Sequence, residues 1–262
     1  MTLARLILKI QSNMEALEVR SLLNKVLIKI SGEYLAGSQG FGIDPSILSN
    51  LAKKIGKIKL ENKNREISIV IGGGNFFRGV SIAAKGMDRV AADYMGMMST
   101  IMNSLALQSE LEKNNIDSRV MSALTIRKVA EPYIRRRAKR HLEKGRVVIL
   151  SGGTGNPYFT TDTSAVLRAV EVGASIVLKA TKVDGVYSED PVVNPNAKKH
   201  DFLTYKEVID KELRVMDLTA MTLCKENNLP VIVFNIGKND SFFNIFKGKR
   251  EGSVISDKEI KW

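Results

Sequence analysis

Five short runs of this chain are apolar almost without a break: Val26–Ile30 (VLIKI), Ile67–Ile71 (ISIVI), Val147–Leu150 (VVIL), Ser175–Ala180 (SIVLKA) and Val231–Phe234 (VIVF). A strand with one wet face alternates apolar and polar residues, whereas a strand covered on both faces reads as a continuous apolar run. Helical stretches separate these runs. Asp44-Pro45 opens a helix to about Leu60, with Asp as N-cap, Pro in the first position, and Ile47, Leu51, Ile55 and Ile58 along one face. Further helices are expected over Arg89–Leu111, Pro132–Lys144, Ser164–Val172, Tyr205–Leu213 and Leu218–Asn227, the last with Asp217 as its N-cap. Ser118–Met121 reads as another short strand, and Gly248–Ile255 as a turn and a terminal strand. This alternation predicts an α/β fold, a three-layer sandwich with a mainly parallel central sheet.

Ligands on such sheets bind beyond the carboxyl ends of the strands. The unusual residues of this chain lie there. Gly152–Asp162, reached through Ser151, is rich in glycine and hydroxyl groups and follows Val147–Leu150. It runs toward a helix N-terminus, so backbone N–H groups, hydroxyls and the helix dipole all offer themselves to a phosphate. Gly72-Gly73-Gly74-Asn75 ends the second strand and permits close backbone approach. It is neither a Walker A loop nor a dinucleotide fingerprint. Lys29 sits inside the first strand, where a cation is costly unless it meets a negative charge; a lysine snorkelling at an edge is the structural alternative. Arg78 could clamp a phosphate with its planar fork. Asp93 stands among small and apolar residues of a long helix, and Met95, Met97, Met98 and Met102 on that helix read as core packing. Tyr187 reads equally as a base-stacking ring or as core.

The chain has 262 residues, enough for one large domain or two small ones; no repeat or low-complexity linker divides it. Residues 25–262 read as one catalytic domain and 1–24 as an extension of uncertain order. One cysteine, Cys224, excludes an intrachain disulfide, and two histidines leave little for a His-based metal site. No apolar stretch approaches the ~20 residues of a membrane span. The formal net charge of +12 suggests anionic partners. Arg135-Arg136-Arg137 and Lys139-Arg140 read as a solvated basic face in preference to a nucleic-acid patch.

Taken in order, VLIKISGE, GSQGFGID, VIGGGNFFRG, SGGTGNPYFTTD, LKATKVDGVYSEDP and VMDLTA resemble the bacterial uridylate kinases of the amino-acid kinase family, from about Lys25 to Ile255. The resemblance implies transfer of the ATP γ-phosphoryl group to UMP with Mg²⁺, in pyrimidine nucleotide biosynthesis in the cytoplasm. It implies catalytic roles for Lys29, Asp162 and Asp217. It assigns Lys29, Ile30, Ser31, Gly32, Gly74, Arg78, Thr181, Tyr187 and Asp190 to ATP. It assigns Gly73, Asp93, Thr154, Gly155, Asn156, Pro157, Tyr158, Phe159, Thr160 and Thr161 to UMP. The family is homohexameric, activated by GTP and inhibited by UTP. The segment Gly37, Ser38, Gln39, Gly40, Phe41, Gly42, which by itself reads only as a flexible loop, resembles the loop associated with GTP activation. Lys179 is added from the residues themselves as a second cation. Phosphoryl transfer asks for positioning and charge neutralisation more than for covalent chemistry, which suits this set. Three rivals stand beside this reading: a sibling kinase acting on an amino acid or carbamate, a regulator that kept the fold and lost catalysis, and a nucleic-acid-binding protein. Neither a membrane nor a nucleic acid is required as a partner.

Overall fold

The computed structural model describes residues 17–77, 86–191, 193–213, 215–238 and 240–262; Arg78 and the first sixteen residues lie outside them. The strands are β1 (Leu17–Glu18), β2 (Lys25–Ile30), β3 (Glu66–Ile71), β4 (Ser118–Ser122), β5 (Glu131–Pro132), β6 (Val147–Ser151), β7 (Ile176–Thr181), β8 (Val186–Tyr187), β9 (Lys199–His200), β10 (Phe202–Leu203), β11 (Val231–Asn235), β12 (Ser253–Ile255) and β13 (Ile260–Lys261). The helices are α1 (Val19–Leu22), α2 (Gly32–Leu35), α3 (Pro45–Glu61), α4 (Arg89–Lys113), α5 (Arg135–Glu143), α6 (Thr161–Val172), α7 (Tyr205–Asp210), α8 (Leu218–Glu226) and α9 (Ser241–Phe246).

The central sheet has the order β10-β12-β11-β7-β2-β3-β6-β4-β5. Its pairs are parallel except β11 with β12. Both faces are covered, as the continuous apolar runs require. Ile28, Ile69, Ile149 and Leu178 join a core with α3, α4 and α9, while Leu27, Val70, Val148 and Val177 join a second core with α5, α6, α7 and α8. The period of two along each strand therefore assigns faces. Lys29 and Lys179 lie on the α6/α8 side, in phase with Leu27 and Val177.

Several boundaries differ from the sequence-based expectation. α6 starts at Thr161, three residues early, because Thr160 caps it, accepting from the N–H groups of Asp162 and Thr163. α5 starts only at Arg135, because Glu131–Pro132 forms a short strand on β4. Leu17–Glu18 pairs with Ile260–Lys261, and Val19 and Leu23 are fully buried, so the end of the expected extension is built into the fold. The GSQGFG segment is no free loop: Gly37–Gln39 forms a 3₁₀ turn, and Gly42 exchanges hydrogen bonds with Asn75. Core packing holds for Met97 but not for Met98 or Met102, which with Tyr94 form an exposed stripe at i, i+4, i+8 along α4.

Candidate active site

The switch point of the sheet lies between β2 and β7, since the chain leaves β2 toward β3 on one side and later returns to β7 on the other. Lys29 and Lys179 are register partners across that pair. Adjacent strands are ~4.8 Å apart, so register alone sets two ammonium groups side by side on one face. The carboxylate that makes this tolerable comes from the first turn of α6. Asp162 Oδ2 accepts from Lys179 Nζ at 2.7 Å, and Lys29 Nζ stands 2.8 Å from Oδ1. The Lys29 contact is a close ion pair that, with Lys179, surrounds the carboxylate by two cations. Lys179 also donates to the carbonyl of Val215. All three side chains are less than a fifth exposed. Burial alone would raise the Asp162 carboxyl; Lys29 and Lys179 overcome it and hold the group down at about 2. For Lys179, burial lowers the ammonium pKa and Asp162 works against that fall.

Asp217 completes the floor of the site as the N-cap of α8. Its Oδ1 accepts from Ala220 N at 2.9 Å and from the Thr163 hydroxyl at 2.7 Å, and Oδ2 accepts from the Thr160 hydroxyl. One carboxylate thus ties the start of α8 to the start of α6. Thr163 had no signal of its own in the sequence beyond a hydroxyl in a first helical turn.

The glycines that follow β2 and β3 sit in close-packed turns. A Cβ at Gly32 would stand 2.6 Å from Asn75 Oδ1, and one at Gly73 would stand 2.5 Å from the Gly96 carbonyl and 2.9 Å from Ser99 Cβ. Gly74 has ordinary room beside Glu33, so bulk alone does not demand glycine there. Asn75 and Asn103 pair reciprocally at 2.9 and 2.8 Å; Asn103 also donates to Gly72 O and Asn75 to Gly42 O. This buried amide pair joins the GGGN turn, the GSQGFG segment and α4. Asn103 was missed, because one Asn among the many polar residues of a long helix has no periodic signature. Ser31 is the N-cap of α2. Ile30 is not brought to the site as a side chain: it is fully buried, and its carbonyl accepts from Gly72 N at 2.9 Å.

The Gly152–Asp162 loop begins in left-handed turns that only its glycines take without strain, with φ of 75°, 61° and 87° at Gly152, Gly153 and Gly155. Gly152 N donates to Thr100 Oγ1 at 2.8 Å, and Asn156 N to Thr154 Oγ1 at 3.1 Å. Tyr158 and Phe159 are exposed. Asp93, from the first turns of α4, accepts from Tyr158 N at 2.8 Å and from Arg89 Nε at 2.8 Å, and the Arg89 guanidinium lies 5.7 Å from the Tyr158 ring centre. The structure therefore brings Asp93 to this loop at Tyr158.

On the other side of Asp162, a cavity of about 510 Å³ opens between β7 and the segment after α7. Lys179, Thr181, Tyr187, Asp190, Leu213 and Val215 line it. Tyr187 donates from its hydroxyl to Asp184 Oδ1 at 2.6 Å, and Thr181 holds the turn at Val183 through its hydroxyl. The Lys179–Asp162 pair therefore joins two compartments: Lys179 lines the cavity, and Asp162 ends the glycine-rich loop.

Comparison with known proteins decides the lineage. The sequence model of the Amino acid kinase family matches residues 24–235. The chain belongs to the amino acid kinase family. It is 51% identical over 232 residues to a uridylate kinase of Alcanivorax borkumensis, covering 88% of this chain and 91% of that protein. Among solved structures, a UMP kinase from Bacillus anthracis superposes with a TM-score of 0.84 at 41% identity, covering 89% of this chain and 96% of that one. A UMP kinase from Ureaplasma parvum gives 0.82 at 40% identity, covering 88% and 98%. The three-layer α/β fold expected from the sequence is borne out by the sheet and by these neighbours.

Proposed function

We propose that this chain is a UMP kinase that moves the γ-phosphoryl group of ATP to UMP, giving UDP and ADP. The observation that carries the proposal is the Lys29–Asp162–Lys179 cluster between the cavity beyond β7 and the loop ending at Asp162. ATP occupies the cavity, with Tyr187 and Thr181 near the nucleoside and Ser31, Gly32 and Gly74 along the phosphates. UMP occupies the loop, with Gly73 and Thr154–Thr161 around it. Asp93 gives its carboxylate to the ribose by releasing Arg89 and Tyr158 N. A phosphate oxygen of UMP attacks the γ-phosphorus while the bond to the ADP oxygen breaks. Lys29 and Lys179 neutralise the transferring group. Asp162 holds both cations in place and opposes the loss of charge that burial favours at Lys179. Lys179 is tied additionally to the Val215 carbonyl, which leaves Lys29 the freer of the two to follow the phosphoryl group.

Among the described residues no group of three or more His, Cys, Asp or Glu side chains converges on one point. This donor set fits a Mg²⁺ that arrives on the ATP phosphates and keeps most of its waters. Asp217, which the resemblance places on Mg-ATP or on lysine orientation, would act beside it, and the ion would supply charge neutralisation on the phosphate oxygens. Arg78, outside the described residues, keeps its role as a phosphate clamp on resemblance alone.

Regulation by GTP and UTP, hexameric assembly, a cytoplasmic setting and a place in pyrimidine nucleotide synthesis belong to the same proposal. The tie from Gly42 through Asn75 to Gly72 gives the GSQGFG segment a physical route to the phosphate turn. The exposed Tyr94–Met98–Met102 stripe supports assembly of copies through α4. Residues 25–262 serve as the catalytic domain, with 17–24 packed onto it. No helix among the described residues is long and apolar enough to cross a membrane. The test is Mg-ATP-dependent phosphorylation of UMP, CMP, dTMP, AMP, glutamate, aspartate and carbamate. UDP formation from UMP, far ahead of the others, is expected; an amino-acid or carbamate product would make the chain a sibling kinase.

A further inference from the structure

The glycine-rich loop is held from behind by a buried cation that has no place in the chemistry above. Arg168 lies in α6, and its side chain is 7% exposed. Its Nη2 donates to the carbonyls of Gly153 and Thr154 at 3.3 and 3.4 Å. Its Nη1 donates to Glu171 Oε2 at 2.6 Å. The guanidinium lies 4.1 Å from the centre of the Tyr133 ring, and the Tyr133 hydroxyl donates to the same Glu171 oxygen at 2.7 Å. Burial, with Glu171 adding to it, raises the Tyr133 phenol pKa and keeps this donor protonated.

Only a planar fork can reach two loop carbonyls and a carboxylate while stacking on a ring; a lysine ammonium cannot. The loop it reaches is costly to order. Gly152, Gly153 and Gly155 have more backbone freedom to lose on ordering than other residues. The attachment of α6 to the sheet does not need Arg168, since Ala165, Val166, Ala169 and Val172 bury that face.

We propose that Arg168 is a positioning residue that pre-orders the Gly152–Tyr158 loop for the acceptor nucleotide, with Glu171 and Tyr133 locking its fork. The proposal rests on the reading of this loop as the UMP site. Arg168 touches no substrate; it acts through the carbonyls of Gly153 and Thr154.

The test uses the full chain as wild type, Arg168→Lys, Arg168→Met and Tyr133→Phe, in two measurements. Amide hydrogen exchange without ligand should show residues 152–158 exchanging about tenfold faster in both Arg168 variants, and less so in Tyr133→Phe, as two hydrogen bonds to a charged group are lost. Steady-state kinetics should show the UMP KM raised about tenfold, with ATP KM and saturated kcat within about twofold of wild type. Unchanged loop exchange overturns the clamp. Loop exchange that rises without a selective change in UMP KM, or with both KM values rising together as Tm falls, makes Arg168 a structural residue and also overturns the proposal. If the wild type forms no UDP, the UMP reading is what has failed, and the exchange data still decide whether Arg168 orders the loop.

Discussion

Replacing Asp162 with Asn keeps the side-chain volume and removes the charge between two buried ammonium groups. Lys29 and Lys179 are direct register neighbours. At a strand spacing of ~4.8 Å, two unit charges repel by about 3–4 kcal/mol for an effective dielectric constant of about 20. A second handle is the carboxyl itself, held at about 2 against an ordinary 3.8. That difference corresponds to a preference for the ionised form on the order of 2 kcal/mol, already net of its burial. Losing one partner of a buried charge cluster costs about 3–5 kcal/mol, a range that contains the repulsion figure and begins just above the carboxyl figure. Asp162→Asn should therefore unfold in urea at pH 7 with a stability lower by about 3–5 kcal/mol. Because the cost comes from unpaired cations, Lys179→Met introduced into Asp162→Asn should restore at least about half of it, a strong non-additivity in a double-mutant cycle. An Asp162→Asn protein within about 1 kcal/mol of wild type, or simple additivity with Lys179→Met, would refute this account.

Other consequences follow from the same geometry. The folded-state carboxyl of Asp162 is depressed, so its contribution to stability is present above about pH 4 and fades as pH falls toward 2. The stability gap between wild type and Asp162→Asn should shrink over that window, and a gap independent of pH would contradict the assignment. The Cys224 thiol is pushed up to about 12 by burial first and then by Asp162 and Asp217. At pH 8 that leaves roughly a thousandfold less thiolate than an ordinary thiol, so a thiol reagent should label the folded protein far more slowly than the urea-unfolded chain; similar rates would place Cys224 elsewhere. Gly73→Ala would set a methyl group 2.5 Å from the Gly96 carbonyl. It should cost about 2 kcal/mol or more and weaken UMP binding measured by calorimetry, and a neutral variant would show that α4 does not press on this turn.

The layers of this fold were readable because both-face burial leaves a plain mark: VLIKI, ISIVI and VVIL have no wet side. The position of Lys29 was readable for a related reason. A cation inside a buried strand is costly where it stands, so Lys29 asks for a partner, whereas Asp162 and Asp217 were singled out by the motif resemblance, Asp217 reading by itself only as a helix N-cap. What could not be read were contacts made by side chains with no periodic signature. Asn103 and Arg168 are single polar residues of mixed amphipathic helices, and their partners lie 28 and 15 residues away in Asn75 and Gly153. The exposure of Met98 and Met102 was misjudged because methionine on a helix looks alike whether it faces a core or a surface. The late start of α5 was hidden by Pro132, which suits a helix start and an edge strand equally well.

The account turns on Lys29 as the cation that meets the transferring phosphoryl group. The most direct measurement compares wild type and Lys29→Ala with Mg-ATP and UMP, taking kcat from UDP formation and UMP affinity from calorimetry. A kcat lowered by about a thousandfold or more, with UMP affinity within about threefold of wild type, is the predicted result. Near-normal turnover at saturating substrates would contradict the central claim.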